Sequence, residues 1–378
     1  MTIFWKGSVL AGHAAVLFGA VCASAQAGDV KANQRAQIEF LQKYAAPARL
    51  TPPPAALTTP HASAPQSLPP PSASTSGGGP RAFAPSAAPT AAPAVTAGAA
   101  TTAAFAGGTT AVYFSAHPDD FVLFSLPYRD VAADARAVFI FVTAGDGGLG
   151  AGPTNAPYYL ARENAALKSI RFMADAARPW AEKIYTVTAT VNGHLIYKFW
   201  YRSSVAYFLR LPDGNGAGEG FPGTGNTSIV KLHNGEVSTL KAINNSTTYK
   251  GWADLAGTVT AIVKAESAGS PNVWLNANDF DESKNPGDHF DHYATGALAA
   301  AVQKTLPCVN AAYYVGYSLA GVSNLSKEDA LNKTGSFASY ATGLTEKNYF
   351  GAWDSSHKAW LNGLAVRTAM GNGAACAN

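Results

Sequence analysis

The sequence predicts an α/β fold with a Rossmann-like, mostly parallel sheet flanked by helices. Residues 110–115 (TAVYFS) and 137–143 (AVFIFVT) are continuous apolar, β-rich runs, as expected for strands buried on both faces of a parallel sheet. Residues 158–173 follow with an amphipathic pattern that predicts a helix. This alternation of strands and helices is typical of the α/β class.

Residues 1–27 have the pattern of a secretory signal peptide. Lys6 precedes an apolar stretch, and small residues around Ala25–Ala27 fit a cleavage site. The stretch is shorter than the roughly 20 residues of a membrane helix, so the protein is expected to be secreted or periplasmic. Two alternatives remain open: a retained membrane anchor, which would bring the chain to a membrane, and a lipoprotein attached through Cys22.

Residues 28–108 are predicted to contain a short helix, at 36–44, and then a low-complexity linker. From Ala45 to Gly108 the chain consists mostly of Ala, Pro, Ser, Thr and Gly. Such a segment buries too little apolar surface to offset the entropy of ordering it. We therefore expect a flexible spacer that precedes one folded domain, residues 109–378.

Later segments of the domain alternate between strand-like and helix-like patterns. Strands are predicted at 184–191, 195–201, 205–211, 272–277 and 311–318, and helices at 253–267 and 291–306. Gly- and Asn-rich loops are expected from Asp213 to Thr227.

Composition excludes several functional classes. Charged residues make up 13% of the chain and the net charge is +3, with no Lys/Arg cluster, which argues against a nucleic-acid partner. Three Cys exclude a disulfide-dense scaffold and a multi-Cys zinc finger. Cleavage of the leader would leave Cys308 and Cys376, which can pair in an oxidising compartment or remain free thiols.

The residues with the clearest chemical signal follow the first predicted strand. They are Ala116, His117, Pro118, Asp119 and Asp120. In an open α/β sheet, ligands bind beyond the carboxyl ends of the strands. His117 and Asp120 can reach one metal ion from a tight turn, which would leave Asp119 beside the metal, free to act on a bound water.

A second cluster, residues 288–292 (DHFDH), opens a predicted helix. His289 and His292 are three residues apart and share one helical face. Two His and one carboxylate leave an open position for water, as a catalytic zinc site requires, and zinc lowers the pKa of that water toward about 7.

Two other hydrolytic or oxidative site types fit less well. A mononuclear iron oxygenase uses the same ligand types, but with H-x-D spacing on a β-barrel. Residues 316–321 (GYSLAG) are similar to a nucleophile elbow, yet Ala320 stands where that motif needs Gly. Ser318 is therefore more simply a strand-end residue.

AHPDD after a hydrophobic strand, with a late HxDH, resembles the PIG-L/LmbE-like N-acetylglucosaminyl de-N-acetylases. Thr143–Gly148 follows the second strand, where the family has a T-x-G-(E/D)-G turn, and Arg162-Glu163 opens the next helix, where it has R-x-x-E or R-E. The resemblance covers residues 110–305. It implies a Rossmann-like domain and zinc-dependent removal of an acetyl group from an N-acetylated sugar or glycoconjugate.

The resemblance also implies roles at the metal. His117, Asp120 and His292 would bind Zn²⁺, with Fe²⁺ as the other possible ion. Asp119 would be the general base that activates the water, and His289 would support the oxyanion or protonate the departing amine.

Two further residues would contact the substrate. Arg162 would hydrogen-bond sugar hydroxyls, and Asp146 would contact the substrate or support the site. The alternatives are an ordinary ion pair of Arg162 with Glu163 or a neighbour, and a turn-stabilising role for Asp146 among its glycines.

One position departs from the family pattern. The motif usually continues AHPDDE, and here the sixth residue is Phe121. Because the usual acid is not one of the three ligands, metal binding is expected to survive, whereas changes around a metal site can cost about 10–100-fold in affinity or activity.

The predicted function is a zinc-dependent hydrolase that removes an acyl group, normally acetyl, from an N-acylated amino sugar or glycoconjugate. The alternative is a non-catalytic carbohydrate- or envelope-binding protein on the same fold. Asp119 favours the enzyme, because a binding module has no obvious need for a free base beside a metal. The region after Ser318 lies outside the resemblance and is expected to cover one sheet edge or to shape the substrate cleft. His357 within it is expected at the surface.

Overall fold

The computed structural model describes residues 108–152, 157–176, 178, 180–374 and 376. The predicted signal peptide and all of the predicted linker except Gly108 lie outside the described residues. Within the described part of the chain, no helix is both long and apolar enough to span a membrane.

The domain contains ten strands and eight α-helices within the described residues. The strands are β1 (Thr109–Ser115), β2 (Arg136–Thr143), β3 (Tyr185–Val191), β4 (His194–Tyr201), β5 (Ser204–Leu211), β6 (Leu240–Lys241), β7 (Thr248–Tyr249), β8 (Asn272–Asn278), β9 (Asn310–Tyr314) and β10 (Val366–Ala369). The helices are α1 (Asp120–Leu123), α2 (Tyr128–Ala132), α3 (Tyr158–Asp175), α4 (Ile229–Asn234), α5 (Gly251–Glu266), α6 (Phe290–Thr305), α7 (Lys327–Thr345) and α8 (Ser355–Lys358).

Eight strands form one mixed sheet with the order β10-β9-β8-β1-β2-β5-β4-β3. The five central strands, from β9 to β5, run parallel to one another, and the antiparallel strands lie at the two edges. The predicted α/β class and mostly parallel sheet are therefore confirmed. β6 and β7 form a separate two-stranded sheet.

The central strands are buried on both faces, as their continuous apolar sequences predict. Tyr113 and Phe139 lie in the core that α3 and α7 cover, while their neighbours Val112 and Val138 lie in the opposite core, under α5 and α6. Alternate side chains of one strand point to opposite faces, so each strand contributes to both cores. The result is a three-layer arrangement with the sheet in the middle.

The order in which the chain adds strands to the sheet reverses at β1. From β1 the chain continues to β2 on one side, and it later returns to β8 on the other side. The loops after β1 and β8 therefore leave the same edge of the sheet in opposite directions and open a crevice between them, where ligands bind in folds of this kind.

The long helix α7 was not predicted, although its buried residues Phe337, Tyr340 and Leu344 recur at helical spacing. It packs against α3, where Ser169 Oγ donates a hydrogen bond to Ser336 O at 2.8 Å and Asn164 Nδ2 donates one to Gly343 O at 2.8 Å. The predicted strand at 311–318 was too long: β9 ends at Tyr314, and a 3-10 turn forms at Tyr317–Leu319.

Cys308 and Cys376 form a disulfide, with their Cα atoms 5.2 Å apart. The sequence left this pairing open. The bond ties the C-terminal end of the described chain to the segment that precedes β9.

Candidate active site

The turn after β1 brings His117 and Asp120 together. The backbone N–H of His117 donates a hydrogen bond to Asp120 Oδ2 at 2.6 Å, which closes the turn around Pro118. This places His117 Nδ1 3.6 Å from Asp120 Oδ2. Both residues are buried, so the turn presents its polar atoms to the interior of the crevice rather than to bulk water.

The start of α6 brings His292 to the same point. Its Nε2 lies 3.2 Å from Asp120 Oδ1 and 3.3 Å from His117 Nδ1. His292 is fully buried. The predicted ligands His117, Asp120 and His292 therefore come together, although His117 and His292 are 175 residues apart in the sequence.

This donor set fits a divalent transition metal. One ligand atom from each residue lies within 4.8 Å of the others. Zinc bonds of about 2.0–2.1 Å at tetrahedral angles separate ligand atoms by about 3.3 Å, close to the separations described above. Two imidazoles and one carboxylate leave a fourth position open, as in catalytic zinc sites.

Asp288 orients His292, and the sequence analysis assigned it no role. His292 Nδ1 lies 2.8 Å from Asp288 Oδ1, and Asn285 Nδ2 donates to Asp288 Oδ2 at 2.6 Å. We assign the Nδ1 proton to this contact, which leaves Nε2, facing Asp120, as the atom that would bind a metal ion. A Cβ at Gly316 would overlap the Asp288 carboxylate, so the close approach needs glycine there.

The charges of His117, Asp120 and His292 shift one another's pKa values. Burial alone would raise the pKa of Asp120, but His292 and His117 outweigh it and hold that pKa well below its usual range. Burial alone would lower the pKa of His292, but Asp120 and Asp288 outweigh it and raise that pKa to about 10. The pocket therefore stabilises cationic charge between the carboxylates, as a metal site must.

Asp119 lies beside this cluster and is held by Arg162. The Arg162 guanidinium forms an ion pair with Asp119 Oδ1, and its other nitrogens donate to Tyr340 OH at 2.9 Å and Gly145 O at 3.2 Å. Burial lowers the pKa of Arg162, but Asp119 outweighs that effect and raises the pKa well above its usual value. The predicted sugar contact of Arg162 stays a prediction.

His289 lies next to His117 and His292, with ring centres 4.6 and 5.5 Å away. The backbone N–H of Asp291 donates to His289 Nδ1 at 3.1 Å, so we assign the ring proton to Nε2. Burial and the neighbouring His117 lower the pKa of His289 to about 4. A neutral His289 therefore offers an Nε2–H donor.

Two further carboxylates face the other nitrogen of His117. Nε2 lies 3.4 Å from Asp291 Oδ2 and 3.9 Å from Asp213 Oδ2. With His289 they form a second group that could hold a metal ion. Asp291 Oδ2 already accepts the Gly214 N–H at 2.7 Å, and a Cβ at Gly214 would overlap that carboxylate. The group containing Asp120 fits a catalytic metal better, because Asp288 fixes the tautomer of its second imidazole.

Asp146 supports the loop that carries Asp213. It is fully buried, and its two oxygens accept the N–H groups of Asp213 at 2.9 Å and Gly150 at 2.7 Å. Both oxygens are thus used within the protein, in line with a supporting role, and its predicted substrate contact stays a prediction.

Phe121, which replaces the usual acid, points into the core. It is buried and packs edge-on against Phe139 and Phe141, with ring centres 5.2 and 5.5 Å away. The side chain at this position is part of the hydrophobic core.

The C-terminal region reaches the site, in line with the expectation that it shapes the substrate cleft. Tyr317 lies 5.3 Å from the His292 ring and stacks on Trp360 at 5.2 Å. His357, expected at the surface, has a side chain only 26% exposed, and its Nε2 lies 4.0 Å from Asp119 Oδ2. No motif marks these residues, because they reach the crevice only through the packing of α7 and the segment after it.

No protein-family model and no curated protein matches the chain. Similar solved structures include N,N'-diacetylchitobiose deacetylase from Pyrococcus horikoshii, which is 12% identical with a TM-score of 0.38 over 68% of this chain and 83% of that one. Conserved protein TT1542 from Thermus thermophilus is 14% identical, with a TM-score of 0.31 over 63% of this chain and 84% of that one.

The zinc-inhibited form of teicoplanin deacetylase Orf2 is 12% identical, with a TM-score of 0.34 over 63% of this chain and 89% of that one. Two of these three proteins are named as deacetylases.

Proposed function

We propose that the protein is a metal-dependent N-deacylase that removes an acyl group, normally acetyl, from an N-acylated amino sugar or glycoconjugate. The observation that carries this proposal is the meeting of His117, Asp120 and His292 beside a carboxylate, Asp119, that is not needed as a ligand. A site with a free base next to three ligands is suited to hydrolysis.

His117, Asp120 and His292 would hold a zinc ion, or Fe²⁺ in its place. A metal ion bound there makes water more acidic and polarises the acyl carbonyl. The chain supplies everything else: Asp288 keeps His292 in the binding tautomer, and the closed turn at His117 keeps Asp120 in position.

Asp119 is the general base in this proposal. Arg162 holds one oxygen of its carboxylate, which leaves the other oxygen to accept a proton from the attacking water. Tyr340 in turn fixes the Arg162 guanidinium. A base positioned in this way is also what disfavours the non-catalytic binding protein.

His289 is the donor to the oxyanion. Because its Nδ1 accepts the Asp291 N–H, its Nε2–H is available to the negative oxygen that develops as the carbonyl carbon becomes tetrahedral. A donor that is already in place costs no reorganisation during the reaction.

The substrate class rests on the motif resemblance and on an aromatic pair beside the candidate site. Tyr317 and Trp360 form a stacked aromatic pair next to His292, and aromatic faces are suited to the apolar faces of sugar rings. In this proposal Arg162 hydrogen-bonds sugar hydroxyls, and Asp146 contacts the substrate or supports the site.

A secreted or periplasmic location is part of the proposal. It rests on the leader-like residues 1–27 and is supported by the Cys308–Cys376 bond, since disulfides persist in oxidising compartments.

Acetate release tests the proposal. The zinc-loaded full chain is incubated with N-acetylglucosamine, N-acetylgalactosamine and N,N'-diacetylchitobiose. We expect acetate from at least one of them, and a fall of about 10²-fold or more in Asp119→Asn at unchanged zinc content. Asp254→Asn is the matched control, because Asp254 pairs with His194 outside the site. No acetate above the Asp119→Asn level from any of the three would contradict the proposal.

A further inference from the structure

His357 is held in a fixed orientation by three neighbours. Its Nδ1 lies 2.9 Å from both carboxylate oxygens of Asp354. Its ring stacks on Phe337, with centres 5.7 Å apart and planes 15° from parallel, and it contacts the Trp360 ring edge-on at 5.8 Å. A carboxylate that binds Nδ1 fixes the orientation of the ring and leaves Nε2 as the atom that can exchange a proton.

Nε2 of His357 faces the proposed base. It lies 4.0 Å from Asp119 Oδ2, while Arg162 holds Oδ1 of the same carboxylate. A separation of 4.0 Å is too long for a direct hydrogen bond. A third polar atom at about 3 Å from each can fit between them, which is the distance range for proton transfer.

His357 and His289 lie at different ends of an aromatic wall formed by Tyr317 and Trp360. His289 contacts Tyr317 at 6.4 Å between ring centres, whereas His357 contacts Trp360. The two imidazoles therefore reach the crevice from separate directions. His289 presents a neutral donor, and His357 is the one backed by a carboxylate.

We propose, on the basis of the proposed function, that His357 is the general acid that protonates the leaving amine nitrogen, with Asp354 as its positioning residue. Asp119 takes one proton from water as the new C–O bond forms. As the C–N bond breaks, the Nε2 proton of imidazolium His357 passes to the nitrogen, so that the amine and the carboxylic acid are released. The proton on Asp119 then moves to Nε2, which restores both groups.

A comparison of two leaving groups tests this role. An amide nitrogen of an amino sugar must be protonated to leave, whereas p-nitrophenolate leaves without a proton. For His357→Gln we expect kcat on the N-acetyl amino sugar to fall about 10²-fold or more, with KM changed by less than about threefold. On p-nitrophenyl acetate, the activity of Asp119→Asn is subtracted as background. The remaining activity of His357→Gln should differ from that of wild type by less than about threefold.

Two variants keep the test sharp. Asp354→Asn retains an oxygen that can accept the His357 N–H at the start of α8, and it should show the same dependence on leaving group with a smaller loss. His233→Gln is the matched control, because His233 packs against Trp252 on another part of the domain. It should equal wild type on both substrates.

Three outcomes overturn the inference. Unchanged kcat of His357→Gln on the amino sugar excludes the acid role while the deacylase stands. Equal losses on both substrates, at unchanged zinc content, indicate a structural role. If wild type releases no more acetate from the sugars than Asp119→Asn does, the proposed function is wrong, and so is this inference.

Discussion

Asp288 decides which nitrogen of His292 is available to a metal. It lies four residues before His292 and accepts the Nδ1 proton, so the spacing across the first turn of α6 was visible in the sequence. What the sequence did not show is that Asn285 and the Tyr317 N–H hold the same carboxylate from other segments.

Removing the charge of Asp288 should weaken metal binding. Asp288→Asn keeps the shape but stabilises the Nδ1-protonated ring less, and changes at such positions cost about 10–100-fold in metal affinity. Zinc titration of the full chain measures the effect. Asp254→Asn changes a residue that pairs with His194, and it should bind zinc with the affinity of wild type. A zinc affinity of Asp288→Asn equal to that of wild type would contradict the role given to Asp288.

The motif residues were predictable for a physical reason that does not extend to the rest of the site. His117, Asp119 and Asp120 are consecutive or nearly so, and a turn at a strand end necessarily groups them. His357 is separated from Asp119 by most of the domain, and no local pattern distinguishes it from a surface histidine. The sequence therefore predicts that the residues of this turn lie together, but it does not predict that His357 lies near Asp119.

At the level of elements, α7 connects the body of the domain to the segment that carries His357. Tyr340 on α7 binds Arg162, and Lys333 Nζ donates to Trp360 O and Gly363 O, both at 2.8 Å. Lys333 is buried, so a cation at this point fixes the segment that carries His357 and Trp360 at an electrostatic cost.

The cost at Lys333 should appear as a pH dependence of stability. Burial lowers the pKa of Lys333 to about 7, from 10.5. Between these values the unfolded chain binds a proton that the folded chain lacks, so stability rises with pH; below about pH 7 both states are protonated and the penalty is complete.

Urea unfolding of the metal-free chain at about pH 7 and about pH 9 measures this effect. The free energy of unfolding of wild type, relative to Lys333→Met, should rise by on the order of 2 kcal/mol between the two values. Lys327→Met, at the exposed start of α7, should show no such change. If the free energy of unfolding of wild type, relative to Lys333→Met, stays constant or falls with pH, the lowered pKa of Lys333 is contradicted.

The parallel strands were the elements easiest to predict. β1 and β2 are buried on both faces, and only an apolar, β-rich run can occupy that position. α7 was not predicted, although its buried residues Phe337, Tyr340 and Leu344 recur at helical spacing. Its contacts with α3 use small residues and backbone carbonyls, which no sequence pattern reveals. Its position depends on tertiary packing rather than on its own pattern.

At the scale of the whole molecule, the disulfide closes the C-terminal part of the domain. Cys308 and Cys376 enclose a segment that contains β9, α7, α8 and β10, and with them Tyr340 and His357. A cross-link over 68 residues restricts the unfolded chain far more than the folded one.

Loss of this bond should destabilise the domain without removing the metal site. Cys308→Ser/Cys376→Ser should lower the free energy of unfolding by about 2–4 kcal/mol, and zinc content should stay the same. Reduction of wild type with dithiothreitol should reproduce the shift, and the same treatment should leave the variant unchanged. Equal stability of variant and wild type would show that the bond does not form in solution.

The central claim is that His117, Asp120 and His292 form a metal site. Metal content of the purified full chain, after incubation with zinc and removal of excess, tests it directly and requires no substrate. We predict about one zinc per chain in wild type and in His233→Ala/His357→Ala, and none in His117→Ala/His292→Ala. Zinc absent from wild type, or retained in His117→Ala/His292→Ala, would contradict the account.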